Sequence, residues 1–369
     1  MDQPLAGLKV VELARILAGP WAGQLLADLG AEVIKVERPG RGDDTRAWGP
    51  PFTADGSAAY FHGCNRGKSA VAIDLESAEG QAAVRELVRD ADVLIENFKV
   101  GGLAKYGLDH ETLRAANPRL IYCSITGFGQ DGPYAARPGY DFMIQGMGGM
   151  MDLTGAPDGE PMRVGVAVVD LFTGLYASNA ILAALRGREA GGTGCHIDMA
   201  LLDVQVAMLA NQAMNYLVSG EVPHRIGNAH PNIAPYQLFA VADGHVIVAV
   251  GNDAQFGRLL AVLGLDARAE FATNADRVRN RAALDALLTP VIALRRRDEL
   301  LAALAGASIP AGPINDIAQV FADPHVQARG MRIDPGGVPG VASPIVIDGR
   351  RQVAEAPSPA LPKETGPAA

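Results

Sequence analysis

The sequence predicts an α/β fold, with a doubly wound parallel sheet followed by a smaller α+β domain. Three observations carry this. Short β-rich runs alternate with helical runs through the first third of the chain, the order of a sheet with helices on both faces. Those β-rich runs are continuously apolar instead of alternating, as strands buried on both faces are. And 369 residues are too many for one ordinary compact core, so two domains are expected.

The elements follow in order. "LKVVEL" (Leu8 to Leu13) reads as the first strand, and "GPWAGQLLADLG" (Gly19 to Gly30) as a helix ended by a glycine. "AEVIKVE" (Ala31 to Glu37), "SAVAIDL" (Ser69 to Leu75), "ADVLIENF" (Ala91 to Phe98) and "RLIYCSITGFG" (Arg119 to Gly129) read as further strands. The helical run Ser77 to Asp90 lies among them. Gly139 to Gly155, "GYDFMIQGMGGMMDLTG", is rich in Gly and Met and reads as an irregular or ligand-facing loop. A Val-rich run from Arg163 then leads as a strand into a helix over Leu171 to Leu185. Cys195 to Gly220 gives a strand and a second long helix. "VPHRIGNAHPNIAPYQLF" (Val222 to Phe239) reads as a linker. "ADGHVIVAVGN" (Ala242 to Asn252) supplies a hairpin strand, and helices follow over Ala254 to Leu263, Arg281 to Leu288 and Asp298 to Ala305. The expected domains are 1–200 for the first part of the large one, 201–224 for a long helix and linker, and 225–312 for the small one. Residues 313–369 return to the large domain.

Composition narrows the function classes. Formal net charge is −9, which disfavours nucleic acid as a partner because phosphate binding needs a basic face. Three widely spaced cysteines, Cys64, Cys123 and Cys195, give neither a disulfide framework nor a metal site. "MDQPLAGLKVVEL" lacks the basic and apolar regions of a signal peptide, and no apolar run is expected to span a membrane. A cytoplasmic enzyme without metal is the expectation. The Arg295-Arg296-Arg297 cluster reads as a solvated helix flank.

The turn after the first strand, "ARILAGPWAG", has no GxGxxG, so a nicotinamide cofactor loses its main support. No phosphate-binding GxxxxGK[ST] loop, HExxH pair or GxSxG elbow occurs. The seven histidines are scattered; His230, in a Gly/Pro loop, is the best placed. Lys35, Arg38, Arg46, Asn65, Arg66, Lys68, Asn97, Lys105 and Arg137 cluster near the ends of expected strands. Such a set suits an anion with several phosphates, or is ordinary surface charge. Asp170 stands alone between the Val-rich run and a long Ala/Leu helix. It has two readings: a helix N-cap worth about 1 kcal/mol, or a nucleophile. A carboxylate near its reference pKa of about 3.9 is already ionised at neutral pH, and its attack on an acyl thioester gives a reactive anhydride. The residues alone leave both readings open.

Taken together, several stretches resemble the class III CoA-transferases, the family of formyl-CoA transferase and carnitine CoA-transferase. They include "LAGLKVVELARILAGPWAGQLLADLGAEVIKVERPGRGDDTR", "NRGKSAVAIDL", "ADVLIENFKVGGLAKYGL", "GFGQDGPYAARPGYDFMIQGMGGMMDLTG", "VGVAVVDLFTGLYASNAILAAL", "GNAHPNIAPY" and "IPAGPINDIAQVFADPHVQARGM". The resemblance runs in order through about nine-tenths of the chain. It implies a large Rossmann-like domain, a small domain and an interlocked homodimer. It implies that Asp170 carries the acyl and CoA groups in turn. It also implies that Ile16, Leu17, Arg38, Asn97, Phe98, Lys105 and Tyr140 contact CoA, with Arg38 and Lys105 on phosphates. Arg137, beside a family lysine position, is the eighth candidate CoA contact. Acyl-CoA and small carboxylic acids are then the substrates, with no tightly bound cofactor.

Related α-methylacyl-CoA racemases place a proton-transferring His in "GHD"; here that stretch is Gly139-Tyr140-Asp141. A phenol of reference pKa about 10 is a poor base, which favours transfer over racemisation. A non-catalytic CoA-binding protein would not need Asp170. The glycine run of formyl- and oxalate-using relatives is missing, which argues against formyl or oxalyl substrates; succinyl-CoA with a dicarboxylic acid is the pair the family resemblance implies. Arg225, Asn228 and His230 are the candidates for a second carboxylate. The N–H groups of Gly148 and Gly149 are the candidates for an oxyanion site. The family's C-terminal helix is replaced by "SPALPKETGPAA".

Overall fold

A computed structural model describes residues 3–363. The last six residues of the expected C-terminal segment, and residues 1–2 of the expected large domain, lie outside the described residues. The chain divides into two compact units. One comprises 1–150, 163–220 and 324–369, the other 151–162 and 221–323.

The larger unit is built on six strands: β1 (Lys9–Glu12), β2 (Glu32–Glu37), β3 (Lys68–Ala72), β4 (Val93–Glu96), β5 (Ile121–Thr126) and β6 (His196–Ala200). Every pair is parallel and the spatial order is β3-β2-β1-β4-β5-β6, the dinucleotide-fold order with its switch point between β1 and β4. The period of two sorts the side chains. Val10, Val93, Ile95, Ile121 and Cys123 pack on one face, with Ala18 and Ala22 of α1 (Ala18–Asp28) and Ala177 and Ile181 of a later helix. Val11, Leu94 and Tyr122 pack on the other. The helix α2 (Ala59–His62) is a single turn. On the second face α3 (Ala78–Val88) contributes Val84 and Val88, and α4 (His110–Ala116) contributes Leu113.

Four expectations are corrected here. The Gly- and Met-rich stretch is largely helical, as α5 (Asp141–Met147) and the single turn α6 (Met150–Leu153). The Val-rich run before Asp170 is no strand: α7 (Val168–Gly191) begins inside it. The long helix after β6 is two, α8 (Leu201–Met208) and α9 (Ala210–Ser219), broken where Ala210 takes φ +43°. Contrary to the expectation from sequence, α7 is also long and apolar enough, among the described residues, to cross a membrane by length and composition. It packs on α1 and α8.

The C-terminal segment is tied to this unit. Ala354 donates its N–H to Asp28, and Arg46 donates to the carbonyls of Pro359 and Ala360.

The smaller unit holds an antiparallel sheet of β7 (Tyr236–Val241), β8 (Gly244–Ala249) and β9 (Ala311–Pro313). Helices α10 (Asp253–Leu263), α11 (Asn274–Arg279), α12 (Arg281–Ala293), α13 (Arg297–Gly306) and α14 (Ile317–Ala322) lie in the same unit. Phe239, Val246, Val248, Phe256, Leu284 and Leu300 share its core.

Candidate active site

In an open parallel sheet, ligands bind beyond the carboxyl ends of the strands at the switch point. A cleft of about 300 Å³ lies there, walled by the segments that follow β1, β4 and β5, and Asp170 opens into it. Ile16, Leu17, Asn97, Phe98, Arg137 and Tyr140 line the same cleft. The structure therefore brings together six of the eight residues implied as CoA contacts. The other two, Arg38 and Lys105, do not line it. Arg38 is half exposed, 3.9 Å from Asp44, and the Lys105 ammonium sits 4.4 Å from the Tyr106 ring.

Asp170 is the third residue of α7 and caps nothing. The helix starts at Ala167 without a side-chain cap of its own. The cap comes from α5. Asp141, buried at 8% exposure, accepts the N–H of Val169 at 2.8 Å and that of Asp170 at 3.3 Å. Gln145 donates to the same carboxylate at 2.6 Å. Two of the helix's orphan donors are thus satisfied from outside.

Burial, then the negative Asp141, pushes the Asp170 carboxyl up to about 7. The helix dipole acts the other way, at about 0.3–1 kcal/mol, too little to offset burial. This revises the sequence expectation of a carboxylate at its ordinary value. The phenol of Tyr60 is likewise pushed up to about 12, by burial and then by the Asp170 charge. Its ring meets Trp48 edge-on at 5.2 Å.

Glycines permit the close packing that sets this geometry. A Cβ on Gly174, one turn along from Asp170, would stand 2.6 Å from the Ala18 carbonyl and 3.0 Å from Trp21. Gly127 and Gly139, both in the cleft wall, approach so closely that a Cβ on either would meet the other's Cα within 2.5 Å.

Other expectations change. The Gly148 N–H donates to the Ile144 carbonyl at 2.8 Å and that of Gly149 to Gly146 at 3.4 Å, so both are spent closing α5. Lys35, Arg46, Arg66 and Lys68 are not ligand cations. Lys35 and Lys68 are buried against Glu12, Arg46 against Glu37 and Arg66 against Asp28. Asn65 accepts from Lys68 at 2.9 Å.

Arg225, Asn228 and His230 lie in the smaller unit. Arg225 donates to Asp152 at 2.9 Å, Asn228 is exposed, and the His230 ring accepts from the Asn232 N–H at 3.1 Å. No group of three or more metal-ligating side chains occurs among the described residues.

Sequence reasoning missed Asp141, Arg15 and Tyr60. Asp141 carried a signal: an acid four residues before Gln145, on one helix face. Arg15 lines the cleft beside Ile16, one residue from a position already singled out.

Known proteins agree with this architecture. The family described as CoA-transferase family III matches residues 5–365. A succinate–glutarate CoA-transferase of Agrobacterium fabrum is 57% identical over 371 residues, covering 97% of this chain and 93% of that protein. The succinyl-CoA:glutarate CoA-transferase of Homo sapiens is 41% identical over 366 residues, covering 97% and 83%. A crystal structure of a CaiB/BaiF family protein from Brucella suis superposes with TM-score 0.88 at 61% identity, covering 98% of this chain and 97% of that one. With the strand order, the cleft and Asp170 in place, the chain belongs to CoA-transferase family III and is a CoA-transferase.

Proposed function

We propose that the enzyme moves CoA from succinyl-CoA to a second dicarboxylic acid of about glutarate's size, through covalent intermediates on Asp170. The observation that carries the chemistry is the Asp170 carboxylate in the wall of the cleft, among positions expected to hold CoA. The substrates follow from what the Agrobacterium fabrum and human relatives are named for.

Four steps close the cycle. An Asp170 oxygen attacks the donor thioester carbon; the C–S bond breaks and CoA leaves as thiolate, giving a mixed anhydride. The thiolate attacks the aspartyl carbonyl; its C–O bond to the donor acyl group breaks and the donor acid leaves as carboxylate. An oxygen of the acceptor carboxylate then attacks the aspartyl thioester and expels the thiolate. The thiolate finally attacks the acceptor's acyl carbon, and Asp170 is restored as carboxylate. One hard exchange is split into easier ones. Each addition develops an oxyanion. The N–H groups where α1 opens without a side-chain cap, at Leu17 and Ala18 in the cleft wall, are the donors that replace Gly148 and Gly149 in this role. The working unit is a homodimer, interlocked as the resemblance implies.

Intact mass spectrometry after incubation with succinyl-CoA tests the route. The expected result is a CoA-sized or succinyl-sized adduct on the wild type that is absent from Asp170→Ala. An adduct of equal yield in Asp170→Ala would move the nucleophile elsewhere.

A further inference from the structure

The turn between β1 and α1 occupies the place where a dinucleotide fold puts its glycines. Here it reads Ala14-Arg15-Ile16-Leu17, and Ile16 takes φ +74°. That left-handed backbone is costly for a β-branched residue.

Side chains from elsewhere hold the first three residues of the turn. The Lys35 ammonium donates to the Ala14 carbonyl at 2.9 Å. Asn97 binds Arg15 twice: its Oδ1 accepts the Arg15 N–H at 2.9 Å and its Nδ2 donates to the Arg15 carbonyl at 2.7 Å. Asp43 accepts the Ile16 N–H on both oxygens, at 3.3 and 3.4 Å. Asp43 is itself held by Lys35 at 2.9 Å, and by the N–H and hydroxyl of Thr45 at 2.9 and 2.8 Å. Lys35 also meets Glu12 at 2.9 Å.

These groups are buried. Burial opposes both charges, yet Lys35 holds the Asp43 carboxyl below its ordinary range, and Glu12 and Asp43 hold Lys35 above its own. Asp43 does not line the cleft, whereas Arg15, Ile16, Leu17 and Ala18 all do.

We propose that Asn97, Lys35 and Asp43 form a clamp that keeps Ile16 in its left-handed conformation, which makes the buried Asp43 a positioning residue for CoA binding. This rests on the reading of the cleft as the CoA site. The clamp does with side chains what a glycine turn does with conformational freedom. In exchange the wall keeps a rigid aliphatic side chain at position 16. Asn97, expected as a direct CoA contact, also gains a second task, because both ends of its amide are engaged by the turn.

A mutant cycle tests the clamp, with the dissociation constant of CoA read by calorimetry and Tm read alongside. Glycine adopts φ near +74° without strain, so Ile16→Gly removes what the clamp must hold. The expected result is that Asp43→Asn weakens CoA binding about tenfold with Ile16 present, and less than about twofold in the Ile16→Gly background. Tm should fall alike in both backgrounds, since in each the buried Lys35 loses one of its two carboxylate partners and keeps only Glu12. Equal loss of CoA affinity in both backgrounds overturns the proposal and leaves a purely structural ion cluster.

Should Asp43→Asn not fold, Thr45→Val removes one bond to the Asp43 carboxylate and keeps the buried charges. It should weaken CoA binding about threefold with Ile16 present and leave it unchanged in the Ile16→Gly background; no such difference overturns the proposal. Calorimetry needs no turnover. A failed cycle with the Asp170 adduct intact therefore sinks the clamp alone. A missing adduct with the cycle as expected sinks the covalent route alone, and a wild type that binds no CoA sinks the clamp together with the reading of the cleft.

Discussion

At the scale of single residues the proposed nucleophile is held in tension with the fold. Asp170 needs its charge to attack, yet burial and Asp141 favour its neutral form and push its pKa to about 7. In the unfolded chain the same group titrates near 3.9. Between roughly pH 4 and pH 7 the folded state therefore binds the extra proton, so stability falls as pH rises through that window and levels off above it. Asp170→Asn does not titrate. It should match wild type in Tm near pH 4.5 and exceed it at pH 8, with thermal denaturation across the range as the check. A Tm difference that does not vary with pH would show that Asp170 is not buried at such a cost. On the proposed route the same titration should govern turnover: kcat/KM reports groups of the free enzyme, and it should fall below about pH 7 as the carboxyl gains its proton.

Elements set the position of that carboxylate, through the contact of α7 with α1. Gly174→Ala would place a methyl 2.6 Å from the Ala18 carbonyl, a backbone atom that cannot rotate aside. Alanine in mid-helix gains about 0.5–1 kcal/mol of propensity over glycine, while overpacking costs about 1–3 kcal/mol, so a net loss of stability is expected. Because Ala18 and Asp170 share the cleft, kcat should fall at least about tenfold. Unchanged Tm and kcat would show that the helices separate freely. The sheet was legible because its central strands are apolar runs buried on both faces: Val10 and Val11 of β1, Val93 and Leu94 of β4, and Ile121 and Tyr122 of β5 are all buried. Asp170 stands out in the sequence by its isolation, but its place in the cleft wall and its setting beside Asp141 do not. "VGVAVV" has β-branched residues without a strand to pair with, since β6 takes the place beside β5; the first helical turn instead borrows its cap from Asp141. The buried cations were misread for a related reason. Lys68 finds Glu12 across 56 positions and Arg66 finds Asp28 across 38, and no local spacing encodes such pairs.

The whole molecule presents an imbalance that one chain does not resolve. On α7, Phe172, Leu175, Tyr176 and Leu182 repeat at helical spacing, and each is more than a third exposed. On α9 none of the ten residues is buried, although Met214, Tyr216, Leu217 and Val218 are large and apolar. A helix with an apolar face and nothing behind it marks an interaction surface. The acidic net charge of −9 opposes association, but only through a field that salt screens within about 8–10 Å. Apolar burial does not weaken in that way. The homodimer proposed above would cover both helices with a second copy of the chain, and such a dimer should resist both dilution and salt. Light scattering coupled to size exclusion should give twice the chain mass at micromolar protein, in low and high salt alike. Leu217→Glu with Val218→Glu should yield monomer or aggregate, because two buried carboxylates cost far more than the exposed apolar pair they replace. A wild type that elutes as monomer under these conditions would leave the α9 face unexplained and remove the dimer from the proposal.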